Sequence, residues 1–197
     1  MATNQDFSGK YLKTNFVTSF LLDNFFGSIA KITAGLPEVR TVLEVGCGPG
    51  FSTVKLQEML PKATFEASDI EASLVQEAQK RNPDIKITQE SIYSLPRQNK
   101  AFDLVFCLEV LEHLEKPELA LVELHRVSSR YVLLSVPCEP IWRILNMVRL
   151  KYLKNLGNTP GHLNHWTKPQ FASLVSAQFK VKRITTSLPW IIILAEK

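Results

Sequence analysis

The sequence is short of cysteine, of glycine and of long apolar runs, and each shortage removes a class of protein. Its three cysteines, Cys47, Cys107 and Cys138, are odd in number, widely spaced and form no Cys-x-x-Cys pair. They exclude a disulfide scaffold and read as reduced, core-lining thiols of a cytoplasmic protein. Eight glycines in 197 residues exclude a collagen-like chain. The longest uninterrupted apolar run, Trp190 to Ala195, is far too short to span a bilayer. Met1 to Lys10 is polar and lacks the apolar centre of a signal peptide. No low-complexity tract or block of like charge appears, which excludes extended disorder. A net charge of +4 admits an anionic partner, but without an aromatic-interleaved basic stripe no nucleic acid is expected.

What is present is an ordinary apolar fraction of 45%, enough for one large core. A single domain over residues 1–197 is expected, with a helical cap over 1–37 and a helical lid or loop insertion over 138–166. Apolar residues at helical intervals predict helix over Leu12–Ile32, broken at Gly27 and ended by Gly35 and Pro37. Short β-rich runs then alternate with helices. The strands are Thr41–Val45, Thr64–Ala67, Ile85–Thr88, Phe102–Cys107 and Tyr131–Val136. The helices between them are Phe51–Leu60, Glu71–Arg81 and Pro117–Arg126. This alternation predicts an α/β, Rossmann-like, mostly parallel sheet with helices on both faces. Ile141 to Leu156 is apolar with interspersed cations, and Gly157 to His165 is turn-rich. Helix Lys168–Ala177 and strands Lys180–Thr186 and Trp190–Ala195 close the chain, the last two near enough to pair antiparallel.

The most informative stretch is Val42-Leu43-Glu44-Val45-Gly46-Cys47-Gly48-Pro49-Gly50. A buried strand enters three alternating glycines and then a helix, where ligands of open α/β sheets bind. A plain strand-to-helix turn needs one glycine, not three. No lysine and hydroxyl end the loop, so it is not a Walker loop. Its spacing is not Gly-x-Gly-x-x-Gly, and Glu44 would repel a pyrophosphate, so a nicotinamide oxidoreductase is disfavoured. Asp69 ends the second strand, where a carboxylate can accept both ribose hydroxyls. It could equally cap the following helix, and the two roles are compatible.

Taken in order, Val42–Gly50, Asp69, Leu95-Pro96, Phe102-Asp103-Leu104-Val105 and Glu109-Val110-Leu111-Glu112-His113-Leu114 resemble class I S-adenosylmethionine-dependent methyltransferases of the small-molecule, type 11-like kind. The resemblance is strong over Val42–Val136 and weak elsewhere. It implies a seven-stranded sheet with the last strand inserted antiparallel, and S-adenosylmethionine as cofactor. By position, Gly46, Gly48 and Gly50 would surround the methionine part and Glu44 its ammonium. Asp69 would bind ribose, and Ile70 and Ile92 would pack on adenine. The acidic adenine contact of the family falls at Ser91, with Glu90 just before it. Cys107 and Leu108 would flank the methionine moiety, and Tyr11 would fold over the cofactor.

The acceptor side is less patterned. A mixed Arg, Lys and apolar surface over Ile141–Leu156 suits an amphipathic acceptor or peripheral contact with a membrane, or else a packed helix with snorkelling cations. His113 and Glu109 are the candidate catalytic residues. If 109–113 were a helical turn, Glu109, Glu112 and His113 would share a face and could hold a divalent cation, with His162 or His165 closing the site. A similar Glu-x-x-Glu-His pattern carries metal in small-RNA terminal ribose methyltransferases. The alternatives are His113 as a metal-free base, and a non-catalytic cofactor- or partner-binding module on the same fold.

Overall fold

The computed structural model describes residues 16–150 and 152–197. A helix α1 (Phe16–Thr33) precedes strand β1 (Thr41–Val45), followed by α2 (Phe51–Met59), β2 (Thr64–Asp69), α3 (Ala72–Arg81) and β3 (Lys86–Gln89). Then come β4 (Phe102–Leu108), a 3-10 turn (Leu111–His113), α4 (Pro117–Val127) and β5 (Ser128–Pro137). The chain ends with α5 (Ile141–Val148), a second 3-10 turn (Leu153–Asn155), α6 (Lys168–Ser176), β6 (Lys180–Ser187) and β7 (Trp190–Glu196).

All seven strands form one sheet in the order β3-β2-β1-β4-β5-β7-β6. The pairs among β1 to β5 are parallel, and β7 lies antiparallel between β5 and β6. The expected topology is therefore the observed one. Sheet burial on both faces explains why the strands read as apolar runs. Alternate residues of β1 serve opposite layers: Leu43 and Val45 pack with Leu121 and Leu124 of α4 and Phe171 of α6. Val42 packs on the other side with Phe25 and Ile29 of α1, Leu56 of α2 and Ala78 of α3.

Two elements differ from expectation. Helix α1 runs unbroken through Gly27, where an added Cβ would meet nothing within 4 Å. A helical glycine costs about 1 kcal/mol against alanine. Burial of Phe25, Phe26, Ile29 and Ile32 around it contributes more than that. Ile141–Leu156 is not one helix, because α5 stops at Val148. The chain must double back there: buried Asn146 donates to the Gly157 carbonyl and Thr159 Oγ1 at 2.9 and 3.1 Å. Gly157, at φ +76°, lies so close to α5 that a Cβ would sit 2.2 Å from the Arg143 carbonyl oxygen.

Candidate functional site

The site is assembled at the carboxyl edge of the sheet, around the gap where β1 is flanked by β2 on one side and β4 on the other. Gly46, Gly48 and Gly50 all have positive φ. A Cβ on Gly46 would lie 2.3 Å from Val110 Cγ2, and one on Gly50 would lie 2.5 Å from Asn82 Nδ2 and 2.9 Å from Ala78 Cα. A Cβ on Gly48 would meet nothing within 4 Å. The outer two glycines thus answer to the protein's own packing, while the middle one leaves its backbone open to a ligand. The loop is held from beneath. Gly46 and Cys47 N–H both donate to the Ser68 carbonyl, at 2.7 and 3.0 Å. Asn82 Nδ2 donates to the Gly50 carbonyl at 3.0 Å, and the Arg81 guanidinium to that of Pro49.

Glu44 is 1% exposed. Its Oε2 accepts from Thr53 Oγ1 at 2.6 Å, while Oε1 has no partner among the described residues. Burial pushes this carboxyl above its ordinary range, against the opposing influence of the Thr53 hydrogen bond and the nearby Ser52 hydroxyl. A cationic group brought to Oε1 would answer that oxygen. Asp69 Oδ2 accepts from Gly48 N–H at 2.8 Å and Oδ1 from Glu71 N–H at 3.0 Å. The helix cap proper is Glu71, so Asp69 braces the loop rather than capping α3. Each of its oxygens keeps a second lone pair for a hydroxyl. Beside it Ile70 is 65% exposed, an apolar surface with nothing packed over most of it.

Several expected residues take other positions. Ile92 is buried in the core with Leu95 and Phe102, and the Ser91 hydroxyl accepts from Tyr93 N–H at 3.3 Å within a tight turn. Glu90 is engaged by Arg97 at 2.7 Å and Thr88 at 2.6 Å. Cys107 is fully buried and packs in the core cluster beneath α4. Leu108 is likewise buried, in the opposite layer. Burial raises the Cys47 and Cys107 thiols, which keeps them protonated and inert. Tyr11 lies outside the described residues.

The segment after β4 is not a regular helical turn, and this corrects the expected grouping of acids. Glu109 has φ +58°. Its Oε1 accepts from Ser135 Oγ at 3.0 Å and its Oε2 from Trp190 Nε1 at 2.7 Å. Glu109 therefore ties β4 to β5 and β7 and does not join Glu112 and His113. His165 is also elsewhere, 3.4 Å from the Glu139 carboxylate. His162 comes in instead: ligand-capable atoms of Glu112, His113 and His162 all lie within 4.8 Å of one another. His113 Nδ1 is 3.0 Å from the Gly161 carbonyl. A carbonyl only accepts, so Nδ1 carries the proton and Nε2 keeps its lone pair in the neutral ring. That Nε2 is 3.9 Å from Glu112 Oε1, and Glu112 is 1% exposed. Leu163 and Asn164 N–H both donate to the Glu112 carbonyl, at 2.8 and 3.0 Å, which docks the histidine loop on the turn.

Two tryptophans complete the site and were not singled out by sequence as site residues. Trp142 of α5 stacks on His162, with centroids 6.0 Å apart, and its Nε1 donates to Thr159 at 2.8 Å. Trp190 lies 6.1 Å from Trp142 and 4.8 Å from Phe25 of α1. Rings from α1, β7, α5 and the histidine loop thus form one arc that ends at His113, 4.9 Å from His162. Only Trp166 stood next to the histidines in sequence, and it packs on Phe171 instead.

Comparison with known proteins gives a consistent family. Residues 42–130 match a methyltransferase domain model. An uncharacterized methyltransferase of Schizosaccharomyces pombe is 36% identical over 99 residues, 45% of this chain and 36% of that protein. A malonyl-[acyl-carrier protein] O-methyltransferase of Halalkalibacterium halodurans is 29% identical over 86 residues, 41% of this chain and 32% of its own. The aligned part is about a third of the length of these two relatives. In solved structures, an S-adenosylmethionine-dependent methyltransferase of Aquifex aeolicus superposes with a TM-score of 0.74 at 19% identity, over 98% of this chain and 99% of that one.

Proposed function

This chain carries the class I S-adenosylmethionine-dependent methyltransferase domain, and from that premise we propose that it transfers a methyl group to a small or amphipathic acceptor, with His113 as the base. The cofactor of this fold family fits the residues present. Gly48 offers open backbone, buried Glu44 Oε1 awaits a cation, Asp69 has lone pairs left for hydroxyls and Ile70 presents an apolar face. Glu44 would receive the ammonium, Asp69 the ribose and Ile70 the adenine. When bound, the cofactor supplies an electrophilic methyl group on a sulfonium.

The observation that carries the reading is the position of His113. Val110 packs against Gly46, so the turn bearing His113 adjoins the glycine loop. With Nδ1 donating to the Gly161 carbonyl, Nε2 can take a proton from an acceptor hydroxyl or amine as it attacks the methyl group, while a carboxylate acceptor needs no base. Glu112 at 3.9 Å stabilises the imidazolium so formed. Residues 138–166 supply the acceptor wall through Trp142 and His162, and this aromatic arc favours an acceptor with an apolar part. The malonyl-carrier relative is named for O-methylation, which agrees with an acidic acceptor oxygen. Calorimetry with S-adenosylmethionine tests the cofactor half, and turnover with an acceptor library tests the rest. Absence of binding sinks the reading; binding without turnover of any acceptor favours the non-catalytic module.

A second reading uses the same cluster differently. Glu112, His113 and His162 offer one carboxylate and two imidazoles at a spacing a divalent cation can bridge. Such an ion would orient and activate an acceptor hydroxyl. Exhaustive chelation with add-back of magnesium, manganese and zinc separates the readings: full activity after chelation leaves His113 as the base.

A further inference from the structure

We propose that the outer face of α5 (Ile144, Val148) and residues 149, 150 and 152–156 form a docking surface for anionic phospholipid membranes. Helix α5 has two sides. Its inner side carries Trp142 and buried Asn146 into the site. Its outer side carries Ile144 and Val148, 48% and 73% exposed, one helical turn apart. The irregular chain beyond adds Leu150, Leu153 and Leu156, exposed by 78%, 51% and 70%. Leu150, Tyr152 and Leu156 all hold left-handed backbone, uncommon for side chains of this size, and all three are exposed. Elsewhere among the described residues the exposed large apolar side chains stand alone or in pairs, such as Val17 with Phe20 and Leu119 with Val122. A cluster this dense marks an interaction surface.

Charge decides what covers it. Between Pro140 and Ala195 the chain has eight Lys and Arg and not one Asp or Glu. Arg149 and Lys154 stand exposed within the apolar cluster, with no salt bridge among the described residues. A second copy of this chain would bring the same cations face to face, at an electrostatic cost. Apolar side chains interleaved with unpaired cations match the headgroup and acyl boundary of an anionic bilayer. The docked surface would sit on the other side of α5 from Trp142, which suits an acceptor that partitions into lipid. Docking itself does not depend on the chemistry proposed above.

The test is co-sedimentation with phosphatidylcholine vesicles, with and without phosphatidylglycerol, in low and high salt. The wild-type chain should bind only the anionic vesicles, and less so in high salt. R149Q/K154Q should weaken partitioning roughly 30-fold, taking about 1 kcal/mol per cation. L150S/L156S should weaken it at least about tenfold. Both variants should keep wild-type melting and S-adenosylmethionine affinity, so a failure here is distinct from failure of the methyltransferase reading. No binding to anionic vesicles overturns the proposal, as does equal binding by the variants. A dimer in sedimentation velocity that L150S/L156S dissolves, without vesicle binding, assigns the surface to a second copy instead.

Discussion

The two banks of the carboxyl edge are built on different principles. On the bank proposed for the cofactor, between β1 and β3, backbone does the positioning: three left-handed glycines, carbonyls and N–H groups locked by Ser68, Asp69 and Asn82. On the bank proposed for the acceptor, side chains do it: His113, His162, Trp142 and Trp190 converge from four separate segments. A backbone cradle tolerates little change because its geometry is set by sterics. A side-chain wall can be rebuilt residue by residue, which is how one fold serves many acceptors.

If the banks are separable, the largest effect should come from the acceptor bank without disturbing the other. His113→Ala is expected to lower kcat by about 10²–10⁴-fold, with S-adenosylmethionine affinity by calorimetry within about twofold of wild type. An equal loss of cofactor binding would show that the division is not real. Gly50→Ala probes the opposite bank. Its Cβ would run into Ala78 Cα at 2.9 Å at φ +80°. Denaturant melts should show a loss of about 2–4 kcal/mol. Gly48→Ala has room for its Cβ, so it should cost only about 1–2 kcal/mol of stability, from its positive φ. Its cofactor affinity should nevertheless fall by at least about tenfold, since the methyl group would occupy the ligand's approach.

The same contrast explains what could be read from sequence. Sheet order, the antiparallel insertion of β7 and the left-handed glycine loop were legible because contiguous residues carry them: a strand, three glycines, then Asp69 at the end of the next strand. Spacing alone presumes a helical turn and so groups Glu109 with Glu112 and His113, whereas the ligand-capable cluster is Glu112, His113 and His162. A positive φ at Glu109 instead sends its carboxylate to Ser135 and Trp190, 26 and 81 positions away. His162 and His165 were indistinguishable in sequence, and only the fold of the loop onto Glu112 separates them. Cys107 alternates with Phe106, and its side of β4 faces the core beneath α4, a burial that spacing alone did not reveal.

Asp69 sits where brace and ligand contact meet. Asp69→Ala should weaken S-adenosylmethionine and its demethylated product alike by about 1.5–3 kcal/mol, the worth of charge-assisted hydrogen bonds. Asp69→Asn keeps one acceptor oxygen and should retain part of the affinity. If the asparagine variant binds as poorly as alanine, one acceptor oxygen does not suffice and the ligand needs the intact carboxylate.

The smallest effect is expected at Glu44, and its sign is opposite for the two properties. In the free protein this carboxyl is buried and its pKa lies above the ordinary 4.5. Below that value both folded and unfolded chains hold the proton, so burial of the neutral acid carries no ionic penalty. As pH rises, the unfolded chain releases its proton first, and the folded state loses relative stability until its own raised pKa is passed. Glu44→Gln removes that penalty while still accepting from Thr53. The variant should therefore melt higher than wild type at neutral pH, and the gap should shrink as pH falls into the ordinary carboxylate range. Its affinity for S-adenosylmethionine should fall, because the amide cannot neutralise an ammonium. A free protein that gains stability and loses cofactor through one substitution would mark Glu44 as a charge kept for the ligand. A variant that melts lower at every pH would instead mark it as part of the core's own hydrogen bonding.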